Sequence, residues 1–102
     1  MDELKKLTED IWDELDGAKH YALTSLHHRS KGDSMNANTF ASMARQELEH
    51  AENLHKMADR IVATAKAEEK MRGDLMETVW NWERDKMLNK SAKIRAMLDS
   101  AK

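Results

Sequence analysis

Apolar residues recur at alternating steps of three and four over the first two thirds of the chain. This spacing places them on one face of an α-helix, and two stretches show it. The first face comprises Leu4, Leu7, Ile11, Glu14, Ala18, Tyr21, Ser25 and His28. The second comprises Phe40, Met43, Glu47, His50, Leu54, Met57 and Ile61. We call these faces seams, and the pattern predicts that each packs against a partner helix.

Turn-forming residues divide the chain at two places. Gly32 lies in a turn-like run, and Asp33, Ser34 or Asn36 can cap the helix that follows. Gly73 suits the left-handed position just after a helix, and Asp74 suits the cap of the next one. We therefore expect a single domain over residues 1–102 with helices over about 2–30, 35–72 and 75–100.

The second and third predicted helices are less regular than the first. The second would be about 57 Å long at 1.5 Å per residue, so we expect a kink or break near residues 63–68. Trp80 and Trp82 point to different faces of the third helix. One is expected to pack on the hairpin and the other to be free for a subunit contact. The predicted apolar positions of this helix are Leu75, Val79, Trp82, Ile94, Met97 and Leu98.

Composition supports an all-α protein, because the chain has no proline, three glycines and many strong helix formers. A formal charge of −2 gives no attraction to nucleic acid, and no apolar run is long enough to span a membrane. The absence of cysteine is compatible with a reducing compartment, and we expect a cytoplasmic protein. A chain of 102 residues buries a limited core by itself, which favours a homo-oligomer.

Each seam is interrupted by residues that do not suit an apolar core: Glu14 in the first, and Glu47 with His50 in the second. Carboxylates are rarely buried without compensation, and a metal cation supplies it. The alternative is a polar network that is hydrogen-bonded without metal. A second Glu-x-x-His match, Glu52 with His55, lies about 140° around the helix at ~100° per residue, so we expect it to be solvated.

The register of the hairpin gives an independent test. If the chain turns near Gly32, Glu14 and His50 lie at the same level, and Glu47 lies one turn away on the same face. Gly17 lies beside these residues, where it either permits close helix approach or is simply tolerated. The register therefore predicts that Glu14, Glu47 and His50 form one metal site.

One chain supplies half of a dinuclear carboxylate site, which takes a Glu from each of two helices and a Glu-x-x-His from each of two others. A two-fold homodimer would supply the full set and complete a four-helix bundle. These ligand types suit iron, and manganese or zinc are alternatives.

The motif Glu14…Tyr21, followed by the run Glu47-Leu48-Glu49-His50-Ala51, resembles the ferritin-like superfamily, which includes rubrerythrins and ferritins. The resemblance covers about residues 11–58, and in length the chain is most similar to half-length encapsulated ferritins. It implies a di-iron ferroxidase centre across a dimer interface, with Glu14, Glu47 and His50 as ligands. By the same resemblance, Tyr21 would hydrogen-bond a ligand. An encapsulating shell is a further implication, although the sequence shows no obvious targeting tail.

We therefore expect an iron-binding protein that oxidises Fe(II) to Fe(III) with O₂ or peroxide at a di-iron centre shared by two subunits. The rival interpretation is a non-enzymatic helical assembly protein in which the same site is vestigial or holds a structural metal. The sequence does not assign a role to the third helix.

Overall fold

The computed structural model describes residues 2–100, which form three helices: α1 (Asp2–Ser30), α2 (Ser34–Glu68) and α3 (Lys70–Ser100). The predicted all-α class is confirmed. The helices α1 and α2 form an antiparallel hairpin, and α3 runs back along it, so that its first half meets the end of α2 and its last turn meets Arg45. The described part of the chain is a rod of 56 × 17 × 16 Å.

The turn between α1 and α2 is built as the sequence predicts. Gly32 has a φ of +76°, a left-handed backbone conformation that residues with a side chain rarely adopt. Asp33 is the N-cap of α2, and its carboxylate accepts a hydrogen bond from the backbone N–H of Asn36 at 3.1 Å. This short connection fixes the hairpin register, on which the position of every side chain facing across the hairpin depends.

The connection between α2 and α3 differs from the prediction. The long helix is interrupted at Glu69, which has extended backbone, immediately after the region where we expected a kink. Gly73 is not a left-handed C′ residue but lies inside α3, and Asp74 is not a cap but pairs with Lys70 at 2.7 Å. A Cβ on Gly73 would lie 2.3 Å from the Cα of Lys66, so this glycine serves the close approach of two helices.

The core lies between the three helices, and α1 buries most of the apolar positions of its predicted seam, with Tyr21 half-buried. The buried stripe of α2 is instead rotated towards its small residues, because α3 covers that side of the hairpin. It consists of Ala37, Ala44, Leu48, Ala51, Ala58, Val62 and Ala65. The predicted seam of α2 lies at the edge of this core, with its residues half-buried or exposed.

Helix α3 buries Gly73, Met76, Trp80, Met87, Ile94 and Leu98. Burial of Ile94 and Leu98 was predicted, and Met97 is half-buried. The prediction was wrong for Leu75, Val79 and Trp82, which are exposed. We expected one of the two tryptophans to pack on the hairpin, and this residue is Trp80. Trp82 is 69% exposed and lies under the ammonium group of Lys86.

One face of the hairpin is left uncovered by α3, and we call it the open face. It runs along the α2 seam, where partly exposed apolar side chains flank two polar ones. Its residues are Glu14 on α1 and Met43, Glu47, His50, Leu54 and Met57 on α2. The residues of α2 that meet α3, such as Glu52, His55 and Asp59, lie on a different side of the same helix. None of the three helices within residues 2–100 contains an apolar stretch that would span a bilayer.

Candidate metal centre

The open face brings the three predicted ligands together. Glu14 comes from the middle of α1, and Glu47 and His50 come from successive turns in the middle of α2. One ligand atom from each side chain lies within 4.8 Å of the other two. The Nδ1 atom of His50 is 3.6 Å from Oε2 of Glu14, which is the contact that the hairpin register predicts. Across residues 2–100, no other group of three or more His, Asp or Glu side chains has this geometry.

The two carboxylates lie in a setting that disfavours two negative charges. The Oε2 atom of Glu14 is buried and has no hydrogen-bond partner among the described residues. Hydrogen bonding to Glu14 raises the pKa of Glu47, burial and the charge of Glu14 raise it further, and His50 partly opposes them. A cation close to both carboxylates would offset this repulsion and give the buried Glu14 oxygen a ligand interaction in place of the missing hydrogen bond.

Gly17 provides space for one of the carboxylates. It lies one turn after Glu14 on α1, level with Glu47 on α2, and a Cβ placed on it would be 3.2 Å from Oε2 of Glu47. That separation is shorter than the roughly 3.4 Å at which ordinary van der Waals contact begins. The sequence left the role of Gly17 open, and the structure assigns it to the space beside Glu47. The hairpin register that brings Glu14 level with His50 also brings Gly17 level with Glu47, so the signal was present in the sequence.

The site is at the surface of the single chain. The side chain of Glu14 is 28% exposed and that of His50 is 58% exposed. A chain offers three donor groups here, which is fewer than the full carboxylate and histidine set of a dinuclear centre. The arrangement is therefore accessible to ions, and a cation held by these three side chains would keep coordination positions that the chain itself does not fill.

Tyr21 lies on α1 two turns beyond Glu14. Its ring stacks on Phe40 with centroids 6.2 Å apart and tilts against His20 at 5.7 Å. Within residues 2–100, no hydrogen bond joins its hydroxyl group to Glu14, Glu47 or His50. The predicted hydrogen bond from Tyr21 to a ligand stays a prediction.

The second Glu-x-x-His match of α2 lies between α2 and α3. Glu52 is exposed and pairs with Arg95 at 3.7 Å, as expected for a solvated residue. The expectation was wrong for His55, which is partly buried because α3 covers this side of α2. Its Nε2 atom is 3.3 Å from the sulfur of Met87, and its ring meets that of Trp80 edge-on at 5.2 Å.

The donor set of the open face suits iron, because carboxylates and imidazoles together are typical ligands of that metal. A family model described as Rubrerythrin matches residues 5–97, which include all three predicted ligands and most of α3. The chain belongs to the Rubrerythrin family. Domains of this ferritin-like family bind iron, and the match extends well beyond the segment 11–58 that carried the resemblance. Comparison with curated proteins found no match, and neither did comparison with solved structures.

Proposed function

We propose that this Rubrerythrin-family protein binds two iron ions between two copies of the chain and oxidises Fe(II). The observation that carries the proposal is the convergence of Glu14, Glu47 and His50 on the open face, where a buried oxygen of Glu14 has no hydrogen-bond partner among the described residues. Three donors per chain are half of a dinuclear set, and a two-fold axis through the open face doubles them to four carboxylates and two imidazoles.

The surface around the site supports pairing through this face. Met43, Leu54 and Met57 extend the seam on both sides of the ligands, and Met57 is 42% exposed in the single chain. Methionine adapts well to irregular contacts, which suits a surface that must close around polar groups. A second copy would cover these side chains and remove the ligands from bulk water.

Each ligand has a separate task in the proposed centre. Glu14 and Glu47 approach from different helices, so their carboxylates are suited to hold and bridge two cations. His50 supplies a neutral nitrogen donor from its place one turn after Glu47. Because Glu14 and burial raise the pKa of Glu47, protons compete with a cation for this carboxylate, so binding should strengthen as pH rises.

In this proposal Fe(II) is the substrate, and dioxygen or peroxide accepts the electrons. Two Fe(II) ions give one electron each to hydrogen peroxide, which takes up two protons and leaves as two waters. With dioxygen, the same two electrons and two protons give hydrogen peroxide. Coordination positions that the protein does not fill admit the oxidant.

The test is aerobic addition of Fe(II) to metal-free protein, followed by the absorbance of the Fe(III) product. Wild type should oxidise Fe(II) much faster than buffer, and Glu47→Ala should remove the acceleration. Glu49→Ala is the matched control, because Glu49 is an exposed carboxylate two residues away on the same helix. If wild type and Glu47→Ala both match buffer while metal still binds, the assembly protein with a structural metal is the better account. Loading with Mn(II) or Zn(II) in parallel tests whether the site prefers iron.

A further inference from the structure

We propose that Gly17 is a positioning residue, whose missing side chain determines where the Glu47 carboxylate lies in the centre. This inference rests on the proposed metal site and adds a residue that is not itself a ligand. The contact is specific, because a Cβ on Gly17 would meet Oε2, Cδ and Cγ of Glu47 at 3.2, 3.6 and 3.8 Å. These three atoms, all from Glu47, are the nearest ones to that point apart from the local backbone and the chain neighbours of Gly17.

A methyl group at position 17 would displace the Glu47 carboxylate. That carboxylate lies close to both Gly17 and the Glu14 side chain on α1, so its displacement changes the separation of the two proposed ligands. Metal–ligand distances tolerate deviations of only about 0.2 Å. A displacement of a few tenths of an ångström, which a packed side chain tolerates easily, is therefore large for a carboxylate that holds a metal.

The metal-free protein should respond differently from the metal-bound protein. Without metal, the Glu47 side chain can rotate towards solvent and avoid the methyl group, because the site is at the surface. Gly17 lies inside α1, where alanine is a much better helix former than glycine. Gly17→Ala should therefore stabilise the metal-free chain and weaken metal binding, two effects that an ordinary packing glycine would not combine.

The experiment uses Co(II), whose visible absorption reports coordination, with the metal-free full-length protein. We expect Gly17→Ala to raise the melting temperature of the metal-free protein by about 4–8 °C. It should also weaken Co(II) binding by roughly tenfold or more, as changes to groups that orient metal ligands do. Ser42→Ala is the control for helix propensity, since Ser42 is exposed on α2 and should bind Co(II) as wild type does.

A second variant distinguishes positioning from general damage. Glu47→Asp shortens the side chain and draws the carboxylate away from the added methyl group. In the Gly17→Ala background, Glu47→Asp should therefore cost less Co(II) affinity than it costs in wild type. Wild-type affinity in Gly17→Ala, or additive losses in the double variant, would overturn the positioning role while the metal site stood. Absence of Co(II) and Fe(II) binding in wild type would overturn the site and this inference together.

Discussion

The helix α2 carries the motif Glu-x-x-His twice, and the two copies have different surroundings. In the first, Glu47 and His50 face a second carboxylate across the open face. In the second, Glu52 points to Arg95 in solvent, and His55 is packed against Trp80 and Met87. The spacing is identical, so the neighbours on other helices decide which pair can hold a metal. The open face concentrates polar donors, whereas the face under α3 concentrates apolar contacts that stabilise the fold.

The largest expected effect concerns the face under α3. Trp80 is 2% exposed, and its indole N–H donates a hydrogen bond to Asp59 at 2.8 Å. Trp80→Ala should lower the free energy of unfolding by about 3–5 kcal/mol, because it leaves a large cavity and removes the partner of Asp59. Denaturant unfolding measures this loss. An equally large substitution at the exposed Trp82, Trp82→Ala, should change stability by less than about 1 kcal/mol, and equal losses at both positions would contradict the packing described.

The two histidines should differ most in metal binding. His50→Ala removes a proposed ligand and should weaken Co(II) or Fe(II) binding by at least about 100-fold, with little change in stability. His55→Ala should leave the affinity within a few-fold of wild type, because His55 faces α3 rather than the centre. Anaerobic titration of both variants compares them directly. Similar affinity losses in the two variants would show that the open face does not define the site.

A smaller effect on stability, opposite in sign to that of Trp80→Ala, is expected at Glu47. Because Glu14 and burial disfavour a charge on Glu47, Glu47→Gln should leave the metal-free protein as stable as wild type or slightly more stable. The measurement is denaturant unfolding in the presence of a chelator. A loss of more than about 1 kcal/mol would mean that Glu47 supports the fold rather than a ligand site.

The smallest expected effects are opposite pH dependences. Burial lowers the pKa of His55 from 6.5, so the unfolded chain binds more protons there and stability falls as pH falls through 6.5. The pKa of Glu47 is raised from 4.5, so the folded chain binds more protons there and metal-free stability falls as pH rises above 4.5.

These dependences can be assigned with single variants. His55→Gln should flatten the first slope and Glu47→Gln the second, each without affecting the other, in unfolding curves measured with chelator over a pH series. If either slope persists in the variant that lacks the residue assigned to it, another titratable group causes that slope.

The site was more predictable from the sequence than the packing of the third helix. A short turn at Gly32 and regular helices fix which residues lie level, so the meeting of Glu14 with His50 followed from geometry. Periodicity, in contrast, does not say which partner covers an apolar face. The helix α2 has apolar residues on two sides, and α3 covers the alanine-rich one, which the pattern alone did not indicate.

Gly73 illustrates the same limit at a single residue. Glycine suits both a left-handed turn and the close contact of two backbones, and the sequence does not distinguish these uses. The contact with Lys66 exists because the chain reverses at Glu69, four residues earlier than the glycine suggested. The exposed positions of Leu75 and Val79 follow from that earlier reversal, since it sets which side of α3 meets the hairpin.

The account depends most on the claim that two chains share one centre. Native mass spectrometry of the metal-free protein, titrated anaerobically with Fe(II), tests this claim directly. We predict a species of two chains with two iron ions for wild type, and no iron-bound dimer for Glu47→Ala. Iron bound to single chains, or a dimer that forms without taking up iron, would contradict the shared centre.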